Sequence, residues 1–115
     1  LASKVIFFNE LNDIFFKSGT SETWDNFIEI IGKDERIGKS HMHVPGVDKR
    51  FGFGGACFPK DTNAFLRYSK DIGAEFNLLK KVIHLNNKIR AEYNDLTQRE
   101  KDQEINFNPS NLEKN

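Results

Sequence analysis

The part of this 115-residue chain best suited to chemistry is a ten-residue stretch that carries its only cysteine. The stretch, residues 52–61, reads Gly-Phe-Gly-Gly-Ala-Cys-Phe-Pro-Lys-Asp. Glycines let the backbone turn tightly or approach a ligand, and Pro59 stiffens the exit from the turn. A helix that starts here places Cys57, Lys60 and Asp61 near its first backbone N–H groups. The helix dipole and a nearby ammonium both favour a thiolate, so Cys57 is a candidate nucleophile.

Length, charge and cysteine content limit the classes of protein to consider. A chain of 115 residues has room for one domain with one core. Its 17 basic and 17 acidic residues cancel, so no net field attracts nucleic acid or an anionic membrane. A single cysteine cannot form an internal disulfide and suits a reducing compartment. No apolar run approaches the roughly 20 residues that span a bilayer, and the first residues show no signal-peptide pattern. We expect a soluble cytoplasmic protein with neither nucleic acid nor membrane as a partner.

The first half of the chain predicts two helices. Apolar residues over 3–17 cover more than one helical face, which predicts a helix buried on two sides. A strand over 5–8 is the weaker alternative, because asparagine and aspartate follow it. Residues 19–21 provide a break and a cap, and Gly32 provides a stop. Between them, apolar residues stand at the i, i+3, i+4, i+7 spacing of a second helix: Trp24, Phe27, Ile28 and Ile31.

The second half predicts a long loop, two more helices and a tail. Glycines and prolines over 33–60 predict an irregular but ordered loop, and its length and its end at the cysteine stretch favour a function. Asp61 or Thr62 would cap a third helix that ends at Gly73, and a fourth would run over 75–95. The expected apolar faces comprise Phe65, Tyr68, Ser69 and Ile72 on the third helix, and Leu78, Leu79, Val82, Ile83, Ile89 and Tyr93 on the fourth.

Polar composition sets the last part of the chain apart. Residues 97–115 are rich in charge and asparagine and carry few apolar side chains. Such a segment buries too little surface to offset its ordering entropy. We therefore predict an all-α domain of four helices with a long ordered loop over 1–96, and a disordered polar tail over 97–115.

Three elements, taken in order, resemble the central region of the UDP-glucose and GDP-mannose dehydrogenases. They are the apolar helix with Asn9-Glu10, the segment Gly-Lys-Asp-Glu-Arg-Ile-Gly over 32–38, and the stretch 52–61. The likeness runs from Leu1 to about Arg90. It implies a helical dimerisation domain similar to the C-terminal domain of 6-phosphogluconate dehydrogenase, assembled as a homodimer through the first helix. Enzymes of this family oxidise the C6 alcohol of a sugar nucleotide to a carboxylate with two NAD.

The resemblance also implies roles for individual residues. Cys57 matches the nucleophile, which holds the substrate as a thiohemiacetal and then as a thioester, so that the reactive aldehyde does not escape. Asp61 matches an acidic residue that organises the hydrolytic water, and the charge of Lys60 supports the thiolate. Arg36 matches an arginine lent across the dimer interface to the neighbour's sugar nucleotide. The loop that closes over that substrate is matched by Phe51, Gly52, Phe53, Gly54 and Gly55.

The sequence departs from the family pattern in several places. It contains no Gly-x-Gly-x-x-Gly, and the family's dinucleotide-binding domain, catalytic lysine and asparagine would all precede Leu1. A polar tail stands where the nucleotide-sugar domain is expected, and 40–50 is longer than in many members. We therefore expect the chain to bind no cofactor by itself and to be inactive unless a separately encoded dinucleotide domain is supplied.

Simpler interpretations accompany each assignment. Free cysteines are commonly buried and inert, although the surrounding motif favours a reactive Cys57. Asp61 could serve only as a helix cap, and Lys60 could be a solvated charge. Arg36 could pair with Asp34 or Glu35.

Three further interpretations are open to the chain. It could be a non-enzymatic homodimerisation module derived from the same family, as its two-sided first helix suggests. A metal site built from His41 and His43 with Cys57 or His84 is disfavoured because nothing in the pattern fixes a third ligand. A thiol-redox protein is disfavoured too, since no Cys-x-x-Cys is present.

Overall fold

The structure, a computed structural model, describes residues 1–107, and every regular element in that range is a helix. The five helices are α1 (Ala2–Lys17), α2 (Trp24–Gly32), α3 (Phe58–Asp71), α4 (Asn77–Ala91) and α5 (Gln98–Asp102). The all-α prediction is confirmed. The first four helices fall where the sequence predicted them, and α5 lies in the stretch predicted to be disordered.

Two hydrophobic clusters hold the helices and the long loop together. The first joins the C-terminal half of α1 to α2 and to loop residues Met42 and Val44. The second joins the N-terminal half of α1 to α4 and to Phe53, and Phe58 at the start of α3 packs against it. The loop between α2 and α3 thus contributes side chains to both clusters, which explains how a stretch of about 25 residues without regular structure stays ordered.

The predicted ends of the helices need three corrections. The cap of α2 is Thr23, whose hydroxyl accepts a hydrogen bond from the Asn26 N–H at 3.2 Å. Neither Asp61 nor Thr62 caps α3, because that helix begins earlier, with Cys57 at its N-cap and a proline in its first turn. The fourth helix is shorter than predicted and ends at Ala91.

Apolar side chains that were predicted to be buried are exposed on α1, on α3 and at the start of α4. Phe7 and Ile14 on α1 are 62% and 63% exposed, so the second apolar face of that helix is uncovered within this chain. On α3 the predicted face is only partly buried: Ser69 is buried as predicted, together with Thr62, whereas the apolar members of that face point outward. The exposed apolar residues of α3 and of the start of α4 are Phe65, Tyr68, Ile72 and Leu78.

The beginning of the predicted tail is folded. Glu100 in α5 is fully buried, and Phe107 is also buried, which corrects the prediction of disorder over 97–107. The polar composition misled the prediction because the segment is held by hydrogen bonds and an ion pair more than by apolar area. Residues 108–115, the rest of the predicted tail, lie outside the described range.

Candidate active site

The single cysteine lies at the N-terminus of α3. Cys57 is the N-cap residue, its carbonyl oxygen accepts the Asp61 N–H at 2.8 Å, and its side chain is exposed. Lys60 and Asp61 follow in the first turn and are exposed as well. The thiol is therefore accessible, and it stands at the positive end of a 14-residue helix. This geometry disfavours the interpretation of an inert, buried thiol.

Aromatic packing fixes the start of α3. The ring of Phe58 stacks on the ring of Phe53 with centroids 4.8 Å apart and an interplanar angle of 27°. Phe53 is buried in the second hydrophobic cluster. The residue that follows the cysteine is thus anchored to the core through the loop that precedes the cysteine.

The glycine-rich loop over 51–55 is held by side chains from three other parts of the chain. Four of its backbone N–H groups donate to side-chain oxygens: Phe51 to Tyr93 Oη at 2.8 Å, Gly52 to Asn9 Oδ1 at 2.8 Å, Phe53 to Asn86 Oδ1 at 2.7 Å, and Gly55 to Glu100 Oε2 at 2.9 Å. Asn86 Nδ2 also donates to the Phe53 carbonyl at 2.9 Å. These amides serve to fix the loop, so they are not free to bind a ligand.

Two glycines in this loop are required by the polar groups packed on it. Gly52 has a φ of +74°, and a Cβ there would collide with Asn86 Oδ1. A Cβ at Gly54 would collide with Glu100 Oε2 and would lie 2.7 Å from the guanidinium of Arg90. Glycine at both positions therefore permits buried polar side chains to approach the backbone.

A buried ion pair lies behind the loop. Arg90 Nη1 is 3.5 Å from Glu100 Oε2 and 2.8 Å from Asp48 Oδ2, and Arg90 Nη2 donates to the Gly52 carbonyl at 3.3 Å. The side chains of Arg90 and Glu100 are almost completely buried. Removing one partner of such a pair leaves an uncompensated buried charge.

Glu100 is also part of a helix cap. Its Oε1 accepts the Thr97 N–H at 3.0 Å, and Thr97 Oγ1 accepts the Glu100 N–H at 3.4 Å, which is a capping box. The two oxygens of one carboxylate thus bind two different segments, the start of α5 and the glycine-rich loop. This contact brings residue 100 within hydrogen-bond distance of residue 55.

Arg36 lies apart from the loop, in the turn after α2. Its guanidinium contacts the Asp34 carboxylate with two hydrogen bonds, at 3.0 and 2.7 Å, and the Arg36 N–H adds a third at 2.9 Å. The hydrogen bonds from Arg36 lower the pKa of Asp34 and, in turn, raise that of Arg36. Within this chain Arg36 makes the local pair that the simpler interpretation described.

The histidines do not assemble a metal cluster in residues 1–107, where no three His, Cys, Asp or Glu side chains are placed to hold an ion. The ring of His41 lies instead against that of Phe58, with centroids 6.2 Å apart. In the same range no helix is both long and apolar enough to cross a membrane.

Sequence reasoning identified the cysteine and the loop but not the side chains that hold the loop. Two signals were available. Asn86 interrupts the apolar stripe of α4, as Asn9 does in α1, and a buried asparagine needs hydrogen-bond partners. The spacing Thr-x-x-Glu over 97–100 is a capping-box pattern that predicts a helix start in the supposed tail. Nothing in the sequence pattern links Arg90 or Tyr93 to the loop.

Comparison with known proteins gives a consistent result. Residues 1–88 match the profile of the UDP-glucose/GDP-mannose dehydrogenase family, central domain. The chain is 39% identical over 95 residues to the UDP-glucose 6-dehydrogenase YwqF and 37% identical over 91 residues to the UDP-glucose 6-dehydrogenase TuaD, both of Bacillus subtilis (strain 168). A UDP-glucose 6-dehydrogenase of Rhizobium meliloti (strain 1021) is 35% identical over 92 residues.

The matched region covers most of this chain but little of the relatives. Each of these three alignments covers 79% of the chain, and 19%, 18% and 20% of the respective relative. The chain therefore spans about a fifth of the length of the curated relatives it matches. No solved structure matches it significantly.

Proposed function

This chain belongs to the UDP-glucose/GDP-mannose dehydrogenase family, and we propose that it supplies the nucleophile, the substrate loop and the dimer interface of a sugar-nucleotide 6-dehydrogenase of the UDP-glucose type. One observation carries the proposal: an exposed thiol stands at the N-terminus of α3, directly after a loop whose backbone is fixed by buried side chains. Preorganisation of this kind is what a covalent nucleophile needs, because its attack geometry must be set before the substrate arrives.

In this proposal Cys57 captures the C6 aldehyde of the sugar nucleotide. The thiolate adds to the carbonyl carbon, and the resulting alkoxide takes up a proton to give a thiohemiacetal. The same sulfur then carries the acyl group as a thioester after the adduct is oxidised, and hydrolysis by water releases the carboxylate and the thiolate. Asp61, one turn into α3 and exposed, would orient that water.

NAD, the oxidant that the family resemblance implies, would accept the hydrides from a site elsewhere. A dinucleotide fold needs a strand, a glycine-rich turn and a helix. Residues 1–107 form no strand, and their glycine-rich loop donates its amides to internal side chains, so these residues do not fit the dinucleotide. In the proposal, a separate dinucleotide-binding domain holds NAD.

Lys60 and Arg36 have supporting roles in the proposal. The ammonium of Lys60, three residues after Cys57 on the first turn of α3, would attract an anionic group of the substrate or the charge that develops on the attacking sulfur. Arg36 would reach the sugar nucleotide bound to a neighbouring copy, and to do so it would exchange its contact with Asp34 for one with the pyrophosphate or sugar.

The first experiment measures alkylation of Cys57 by iodoacetamide at pH 7. We expect a rate about fivefold or more above that of a cysteine in an unstructured peptide, because the positive end of the α3 dipole stabilises negative charge on the attacking sulfur. Lys60→Gln should lower the rate modestly, whereas Lys70→Gln, the same change at the other end of α3, should not. A rate equal to that of the peptide would contradict the assignment of Cys57 as nucleophile.

The second experiment tests complementation. The chain mixed with UDP-glucose and NAD should produce no NADH, and addition of a dinucleotide-binding domain from a relative should restore production. Cys57→Ala should abolish the restored activity without changing the circular dichroism spectrum. Turnover by the chain alone, or unchanged turnover in Cys57→Ala, would overturn the proposal.

A second candidate function, a homodimerisation module without catalysis, is favoured by the exposed face of α1. Phe7 and Ile14 stand seven residues apart on one face of α1 and are each more than 60% exposed, although the other face of that 16-residue helix is in the core. Large apolar side chains at such spacing are typical of a surface that packs against a partner. A dimer whose Cys57 reacts no faster than a peptide thiol would favour this candidate over the first.

A further inference from the structure

We propose that Glu100 is a positioning residue for Cys57, and that residues 97–107 form a strap that locks the cysteine loop. This inference depends on the proposed role of Cys57 as nucleophile and adds a residue outside the region matched by the family profile, which ends at residue 88. Glu100 would act through the loop backbone, without touching substrate.

The contacts of Glu100 carry the argument. Its side chain is fully buried, and Oε2 accepts the N–H of Gly55, two residues before the sulfur. Gly55 has a φ of +89° and lies outside every regular element, so no helix hydrogen bond holds its N–H. A charge-assisted hydrogen bond to that N–H fixes the orientation of the peptide immediately before the N-terminus of α3.

Gly54 shows that the fit is specific. A side chain at this position would occupy the space of the Glu100 carboxylate and the Arg90 guanidinium, so the loop backbone lies directly on the buried pair. Arg90 in turn binds the Gly52 carbonyl at 3.3 Å, so the pair contacts the loop at residues 52, 54 and 55. Glu100 thus binds a backbone N–H of the loop, and Arg90 binds a backbone carbonyl of the same loop.

Two more contacts order the strap, one within it and one between it and Arg90. Thr97 closes the capping box on Glu100 Oε1, and the ring of Phe107 lies 5.8 Å from the guanidinium carbon of Arg90. Both carboxylate oxygens of Glu100 accept hydrogen bonds, so Glu100→Gln would place an amide NH₂ against one of two donors, the Gly55 N–H or the Thr97 N–H. It would also leave Arg90 with one buried counter-charge fewer.

The test compares Glu100→Gln with Glu104→Gln, the same change at an exposed position of the same segment. Hydrogen exchange followed by NMR should show the Gly55 amide exchanging about tenfold faster in Glu100→Gln relative to the Ile28 amide in α2, since one hydrogen bond is lost locally. Alkylation of Cys57 should slow about threefold. The thiol is already exposed, so a looser loop gives the reagent no better access, whereas disorder at the start of α3 weakens the effect of the helix dipole on the sulfur. Glu104→Gln should change neither quantity.

Two outcomes would overturn the proposal: equal acceleration at Gly55 and Ile28, which would mean a general loss of stability, or exchange at Gly55 unchanged from the wild-type chain. If Glu100→Gln does not fold, Glu100→Asp provides the second variant. It keeps the charge for Arg90 but is one methylene too short to reach Gly55, and it should give the same selective exchange. Slow alkylation of Cys57 in the wild-type chain would count against the proposed function alone, because hydrogen exchange at Gly55 tests the strap independently of the reactivity of the thiol.

Discussion

The side-chain amide of Asn86 binds both backbone groups of Phe53: Oδ1 accepts its N–H at 2.7 Å and Nδ2 donates to its carbonyl at 2.9 Å. Asn86 lies on α4 and is 1% exposed. In effect it takes the place of a neighbouring β-strand for one residue of the glycine-rich loop. The loop can therefore stay irregular while its buried polar groups are satisfied.

Asn86→Ala should lower the free energy of unfolding by about 2–4 kcal/mol, because it leaves two buried backbone groups without partners. Urea denaturation followed by circular dichroism measures the change. Asn63→Ala is the control: Asn63 is exposed on α3 and donates within its own helix, so its loss should cost under about 1 kcal/mol. Equal losses in the two variants would mean that Asn86 does not hold the loop.

Gly52→Ala should destabilise the chain more than Gly73→Ala. Both glycines have a positive φ, +74° and +79°, so both variants carry the same backbone strain of about 1–2 kcal/mol. Only at Gly52 does the added Cβ also meet a buried side-chain oxygen, since nothing lies within 4 Å of it at Gly73. We expect a further loss of about 1–3 kcal/mol at Gly52, measured as a difference in urea midpoint at constant slope. A similar midpoint for both variants would contradict the close packing of Asn86 on the loop.

The pair between Asp34 and Arg36 predicts a pH effect with a definite sign. The hydrogen bonds from Arg36 hold the pKa of Asp34 below its ordinary value of 3.8. The stabilisation from a carboxyl with a lowered pKa is present above the pKa of the unfolded chain and is lost as pH falls through the folded one. Carboxyl titration by ¹³C NMR should therefore give Asp34 a pKa below 3.8.

Arg36→Gln should raise the pKa of Asp34 toward 3.8, and Lys33→Gln, an adjacent charge change, should have a smaller effect. A pKa that does not move in Arg36→Gln would show that the pair is not formed in solution. That result would leave Arg36 free for the intersubunit role in the proposed function.

The exposed face of α1 predicts a dimer that two substitutions can dissociate. Phe7→Ser with Ile14→Ser should shift sedimentation at micromolar concentration from dimer to monomer, because both side chains would leave an apolar interface. Phe65→Ser removes a side chain of similar exposure from α3 and should leave the dimer intact. A wild-type monomer, or dissociation only in Phe65→Ser, would contradict an interface centred on α1.

Local sequence determined the first four helices and the placement of the thiol. The apolar spacing of α2, the two-faced apolar pattern of α1 and the proline after Cys57 are local signals, and the structure places each of these elements near its predicted position. The family assignment rested on three local elements in order, the helix with Asn9-Glu10, the segment 32–38 and the stretch 52–61, and the comparisons confirm it. Backbone preferences and short-range spacing suffice for these features, since they depend on neighbours along the chain.

Tertiary structure decided which face of α3 is buried. The apolar pattern predicted a buried face of Phe65, Tyr68, Ser69 and Ile72, but Phe65, Tyr68 and Ile72 are exposed. The buried hydroxyl residues are Thr62, which is outside the predicted set, and Ser69. Each of these hydroxyls donates to a carbonyl of its own helix, to Phe58 at 2.5 Å and to Leu66 at 2.7 Å, so burying them leaves no donor unsatisfied. Small side chains whose hydroxyls are bonded within the helix can be buried at little cost, an outcome that the apolar periodicity of one helix does not encode.

The hold on the cysteine loop was likewise decided by the fold. Gly52, Phe53 and Gly55 find their partners 43, 33 and 45 residues away, on α1, α4 and α5. Such pairs follow from the three-dimensional path of the chain, because a buried backbone N–H requires an acceptor but places no condition on where in the sequence that acceptor stands. The sequence therefore determined that a thiol begins a helix, and the fold determined what keeps it there.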